Sequence, residues 1–175
     1  MPLGLAMSTQ PPAPNSPSAN ERAVILVVDD YAETRRLLYF YLRSDYEVIA
    51  VESAEEALEY LQSHPVDLVV MDINFQEGMN GMTATEHIRA DERLKHLPVL
   101  ATSAYAYPDD RARFLKAGFD DYIAKPIFKE RMLKTVRTLL RGRADGGSGV
   151  WVSKKNANDK ALDSDAAPGE TAHDG

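Results

Sequence analysis

Val66-Asp67-Leu68-Val69-Val70-Met71-Asp72 is the stretch that decides the fold. It is short, aliphatic and rich in β-branched residues, and it ends on a carboxylate. Such a run predicts a strand covered on both faces, the kind found in parallel sheets. Gly78 and Gly81 follow within ten residues, so the strand opens into a loop. Ligands of open α/β sheets bind at the carboxyl ends of strands, which makes Asp72 a site candidate. Taken alone, an aspartate that closes a strand is as readily a turn former or a helix cap. Two other strand ends bear on the choice. Asp29 and Asp30 follow the run Val24-Ile25-Leu26-Val27-Val28, and Lys125-Pro126 follow Tyr122-Ile123-Ala124.

Outward from this centre, strand and helix patterns alternate five times. Val24 to Val28 is the first strand. A helical pattern runs from Tyr31 to about Ser44, with Leu37, Leu38, Tyr41 and Leu42 on one side. Tyr46 to Val51 is the second strand. Ser53-Ala54-Glu55-Glu56 has the form of a capping box and opens a helix that stops before Pro65. After the central strand a helix is expected from about Met82 to Arg93, with Ala84, Ile88 and His87 inward. Leu97 to Thr102 is the fourth strand, ending at Ser103. Pro108 suits the first position of the next helix, and Gly118 its C-terminal cap. A short fifth strand, Asp121 to Ala124, precedes a last helix from Phe128 to Arg141. This is an α/β layout, a doubly wound five-stranded parallel sheet with five helices and right-handed crossovers.

The flanks read differently. Residues 1–20 are rich in Pro, Ser, Ala and Asn and predict a disordered arm. Residues 21–142 form the domain. From about Gly142 the periodicity dissolves into Gly146-Gly147-Ser148-Gly149 and a polar tail over 143–175, interrupted only by Val150-Trp151-Val152. The 175 residues carry a net charge of −7, no cysteine and no apolar run of membrane-spanning length. These numbers speak against a general nucleic-acid binder, a disulfide scaffold and a membrane protein, and they fit a cytoplasmic chain. No secretory signal and no output domain are visible, so the chain reads as a stand-alone unit.

Brought to one edge of a sheet, the strand ends present Asp29, Asp30, Asp72, Ser103 and Lys125. Crowded carboxylates repel unless a cation joins them. A hard divalent ion with oxygen ligands resolves that, and Mg²⁺ prefers one or two carboxylates together with waters and phosphate oxygens. A lysine and a hydroxyl beside the acids fit a phosphoryl group entering the site. Asp72, in the middle, is the natural carboxylate nucleophile and would give an acyl phosphate. His64, His87 and His96 have no ligand-like spacing.

These blocks resemble the receiver domain of bacterial two-component response regulators. The matching pieces are Val27-Val28-Asp29-Asp30, Met71-Asp72-Ile73-Asn74, Ala101-Thr102-Ser103-Ala104 and Lys116-Ala117-Gly118-Phe119-Asp120-Asp121-Tyr122-Ile123-Ala124-Lys125-Pro126, within residues 22–141. The resemblance implies a flavodoxin-like strand order, 2-1-3-4-5. It implies Asp72 as phosphoacceptor, Asp30 as a direct ligand of Mg²⁺ (or Mn²⁺), and Asp29 acting on the metal largely through water. Asn74 would offer its main-chain carbonyl to the metal. Ser103 and Lys125 would contact the phosphoryl oxygens, Tyr122 would be the aromatic switch, and Lys125-Pro126 a cis peptide. The partners implied are a sensor histidine kinase or a histidine phosphotransfer protein, and a downstream protein on the face of the fourth helix, fifth strand and fifth helix. No direct DNA binding is implied, and no enzymatic activity beyond the chain's own phosphorylation and dephosphorylation.

One feature departs from the family. Most members place a proline four residues after the phosphoacceptor. Here the loop reads Phe75-Gln76-Glu77-Gly78-Met79-Asn80-Gly81, without the proline and one residue longer. Two alternatives stand beside the phosphorylated switch. One is a receiver-like interaction module that is never phosphorylated, which the loss of Asp72, Asp30 or Lys125 would favour. The other is a haloacid-dehalogenase-type phosphohydrolase, whose Asp-x-Asp pattern Asp29-Asp30-Tyr31-Ala32-Glu33 does not match.

Overall fold

The computed structural model describes residues 22–104 and 110–144. In chain order they form β1 (Val24–Val28), α1 (Ala32–Leu42), β2 (Glu47–Val51), α2 (Ala54–Ser63), β3 (Leu68–Asp72), α3 (Gly81–Ala90), β4 (Val99–Ser103), α4 (Asp110–Lys116), β5 (Asp121–Ala124) and α5 (Lys129–Ala144). The five strands make one parallel sheet in the order β2-β1-β3-β4-β5. β3 and β4 are buried along their whole length, including the polar residues that close them, Asp72 and Thr102-Ser103.

Side chains alternate between two cores. Leu26, Val28, Val69, Met71, Val99 and Ala101 pack against α2, α3 and α4 through Ala57, Leu61, Ile88 and Phe114. Ile25, Val27, Leu68, Val70, Leu100 and Ile123 pack against α1 and α5 through Leu38, Leu42, Met132 and Val136. Helices therefore cover both faces, and the strand order leaves a cleft at the carboxyl ends where β1 and β3 diverge toward their helices.

Several expected boundaries move for identifiable reasons. Helix α3 begins at Gly81, because the Asn80 side chain accepts from the Thr83 amide at 2.9 Å. It ends at Ala90 rather than Arg93, because Asp91 takes an extended conformation and its carboxylate accepts from the Arg93 amide. His87 is exposed, not inward, and Leu37 also points out, leaving Leu38 and Leu42 to bury α1. At α2 the Ser53 hydroxyl accepts from Glu56 N–H, while the Glu56 carboxylate accepts from the Glu52 amide, one residue before the cap. Helix α5 runs through Gly142 to Ala144, where Arg143 donates to the carbonyls of Val66 and Asp67 and pairs with the Asp67 carboxylate. The arm over 1–20, Pro108, and the tail with Trp151 lie outside the described residues, apart from the start of the tail within α5.

Candidate functional site

Asp29 and Asp30 leave β1 just beyond its last paired residue, and Asp72 closes β3 on the neighbouring strand. Their carboxylates offer oxygens that all lie within 4.8 Å of one another. Asp29 is 1% exposed and Asp72 2%. Lys125, one residue past β5, reaches across the sheet end. Its Nζ donates to Asp29 Oδ2 at 2.9 Å and stands 3.2 Å from Asp72 Oδ1. One lysine cannot balance three carboxylates, so the pocket holds an excess of negative charge in water-poor surroundings.

The titration behaviour follows from that geometry. Burial pushes the Asp72 carboxyl up; Lys125 opposes this, and Asp29 and Asp30 add to it, with a result of about 6. Burial would lower Lys125, but its bonds to Asp29 and Asp72 outweigh it, and its pKa is raised. Asp72 is therefore mostly ionised at neutral pH and is an unusually basic aspartate.

The residues present fit a divalent cation. Asp30 Oδ2 accepts from the Gln76 amide at 3.0 Å, while Asp30 Oδ1 is buried and has no hydrogen-bond partner among the described residues. A buried, unpaired carboxylate oxygen is costly in a protein interior. A cation held between Asp30, Asp29 and Asp72 would account for it, and an all-oxygen donor set suits Mg²⁺ or Mn²⁺.

Around the acids, Asp29 Oδ1 accepts from the Tyr31 amide at 2.9 Å. Ser103 closes β4 and is 1% exposed; its hydroxyl donates to Asn74 Oδ1 at 3.4 Å. The Asn74 side chain thus spans from the loop after β3 to the end of β4. Tyr122 sits on β5, half-buried, with its ring 5.8 Å from that of Phe114 on α4. The Lys125-Pro126 peptide is cis, as expected.

One neighbour was not evident from sequence. Arg35, on α1, donates to the carbonyls of Asp29 at 2.7 Å and Asp30 at 3.1 Å, and pairs with Glu52 at 3.6 Å. It ties the acidic turn to the first helix and the end of β2. The only signal in the chain is a basic residue one turn into the helix that follows two acids.

A family model described as the response regulator receiver domain matches residues 25–137. The chain belongs to this family. Among its relatives is the polar-differentiation response regulator DivK of Brucella ovis, 34% identical over 119 residues, which are 68% of this chain and 96% of DivK. The receiver fold recurs in the chemotaxis response regulator CheY4 of Vibrio cholerae, at 26% identity and a TM-score of 0.64, covering 67% of this chain and 98% of CheY4. A receiver domain of a signal transduction histidine kinase from Syntrophus aciditrophicus is 27% identical, with a TM-score of 0.64, over 73% of this chain and 96% of that one. As a receiver, the protein takes part in two-component signalling. Its acidic pocket is where receivers bind Mg²⁺.

Proposed function

We propose that Asp72 accepts a phosphoryl group from a phosphohistidine on a sensor kinase or a phosphotransfer protein. The observation that carries this is the placing of Asp72 between a second acidic strand end and Lys125 Nζ, 3.2 Å away. An ionised Asp72 oxygen attacks phosphorus, and the bond to the donor imidazole nitrogen breaks. Lys125 holds a phosphoryl oxygen with one of its three N–H donors, and the Ser103 hydroxyl takes a second. Asp29, Asp30 and Asp72 hold Mg²⁺, with the Asn74 main-chain carbonyl as a further ligand. The bound ion supplies charge stabilisation for the phosphoryl oxygens. Mn²⁺ suits the same donors.

The output follows from Ser103. Turning its hydroxyl toward the phosphoryl group vacates space beside Tyr122, and the ring moves inward from its place beside Phe114. That reshapes the face built by α4, β5 and α5, where a downstream protein would dock. A ligand shifts such an equilibrium only by its differential affinity for the two states; the Ser103 and Lys125 contacts provide the difference. No helix among the described residues is long and apolar enough to cross a membrane, and we place the protein in a bacterial cytoplasm. The chain does not turn over an external substrate; its chemistry is its own phosphorylation and dephosphorylation. Membership of the receiver family favours this reading over a phosphohydrolase.

The test is transfer from a phosphohistidine-bearing phosphotransfer protein in the presence of Mg²⁺. The wild type should take up the label and Asp72→Asn should take up none. Equal labelling of the Asn variant would contradict the assignment.

A further inference from the structure

The loop between β3 and α3 is the part of this receiver that departs most from its family's sequence pattern, and it touches the acidic pocket. It leaves β3 at Ile73, whose amide donates to the Thr102 carbonyl. It returns at Gly81, whose amide donates to the Ile73 carbonyl at 3.3 Å. The ends are thus pinned together; between them Asn74 bonds Ser103, Phe75 and Met79 pack on the core, and two loop amides are held by carboxylates. On one side the Gln76 amide donates to Asp30 Oδ2 at 3.0 Å. On the other the Met79 amide donates to Glu55 Oε1, on the first turn of α2, at 2.7 Å. Gly78 has a φ of +78°, and a Cβ there would come within 2.9 Å of Glu55 Oε1. The positive φ at Gly78, which L side chains rarely adopt, brings the loop backbone against the far end of the Glu55 side chain.

We infer that Glu55 is a positioning residue for the metal pocket, acting through the loop on Asp30; this rests on the Mg²⁺ reading given above. Without the Gln76 amide, the Asp30 carboxylate is freer to rotate, and the oxygen it offers to the acidic cluster is less well fixed. The Gln76 amide stays over Asp30 only while the loop keeps its path. Glu55 holds that path through a charge-assisted bond to a backbone N–H, the stronger kind of hydrogen bond. Groups that orient metal ligands matter nearly as much as the ligands.

The test is an Mg²⁺ titration of the full chain followed by ¹H–¹⁵N NMR, on wild type, Glu55→Ala, Glu55→Gln and Gly78→Ala. Glu55→Ala should weaken Mg²⁺ binding roughly fivefold, just below the range seen when a partner of a metal ligand is lost. Its Gln76 amide should exchange faster with solvent. Glu55→Gln keeps an acceptor for the Met79 amide and should bind within about twofold of wild type, which separates a bond to the loop from general charge near the site. Gly78→Ala should behave like Glu55→Ala. If wild type binds Mg²⁺ and Glu55→Ala binds it equally well, Glu55 has no such role. If wild type binds no Mg²⁺, the metal reading falls and this assignment falls with it.

Discussion

The most informative single group is Asp72. Its carboxyl titrates near 6 because burial and two neighbouring acids outweigh Lys125. Its folded pKa thus lies above the unfolded value, so the folded chain binds this proton more tightly. The stability that this proton lends is fully present below about pH 4 and is lost as pH rises through about 6. Asp72→Asn, which carries no charge at any pH, should therefore melt higher than wild type at pH 7.5 without metal, by an amount on the order of 2–3 kcal/mol. The gain should vanish near pH 4. Melting curves of both proteins across this range check it, and a gain that grows toward acid pH would contradict the sign. At this scale the pocket was largely legible. Asp29, Asp30, Asp72, Ser103 and Lys125 each stand at the end of an apolar run, and a parallel sheet brings all such ends to one edge. Arg35 and the Gln76 amide were not legible. Arg35 acts on carbonyls and Gln76 through its N–H, and backbone groups are the same in every sequence.

At the scale of elements, α3 packs on the sheet through Ala84 and Ile88, and Arg89 ties it to the segments that lead into β4 and β5. Arg89 donates to the carbonyls of Leu97, Lys95 and Gly118 and pairs with Asp120 at 2.9 Å. Asp120 in turn accepts from the Val99 amide at 2.7 Å, at the start of β4. Burial pushes both groups toward their neutral forms, and each is the other's main compensating charge. Removing one partner of such a pair strands the other. The Asp120 side chain is 37% exposed, which screens the pair, so Arg89→Ala should cost about 1–3 kcal/mol, mostly from the carbonyls left without a donor; Arg89→Lys should recover little of it, because one ammonium cannot serve four acceptors in a fork. Denaturant midpoints of the two variants check this; a near-neutral Arg89→Ala would show that the loops around Gly118 and Leu97 stand without it. The β-strands were readable from their apolar runs and the α2 cap from Ser53 and Glu56. The end of α3 was not, because Asp91 stops it through a bond to the Arg93 amide rather than through glycine or proline. The end of α5 was not either, because Arg143 holds it from across the fold.

At the scale of the whole molecule, the fold explains why residues separated by almost a hundred positions share one pocket. Asp29 and Lys125 are 96 residues apart, yet their side chains meet at 2.9 Å, since the order β2-β1-β3-β4-β5 puts every carboxyl strand end on one rim. The same order sets Ser103 and Tyr122 on adjacent strands, two residues out of register, since Tyr122 pairs with Ala101 and Ser103 with Ala124. In the switch proposed above, this is the path from a charge change at the rim to the α4-β5-α5 face. The account as a whole stands on phosphorylation of Asp72. The most direct test is to treat the full chain with acetyl phosphate and Mg²⁺, reduce the acyl phosphate with borohydride, and locate the modified residue by peptide mass spectrometry. The account predicts reductive conversion of the aspartate at position 72 alone, abolished by chelating the metal. Conversion at another carboxylate, or none in the presence of Mg²⁺, would contradict it.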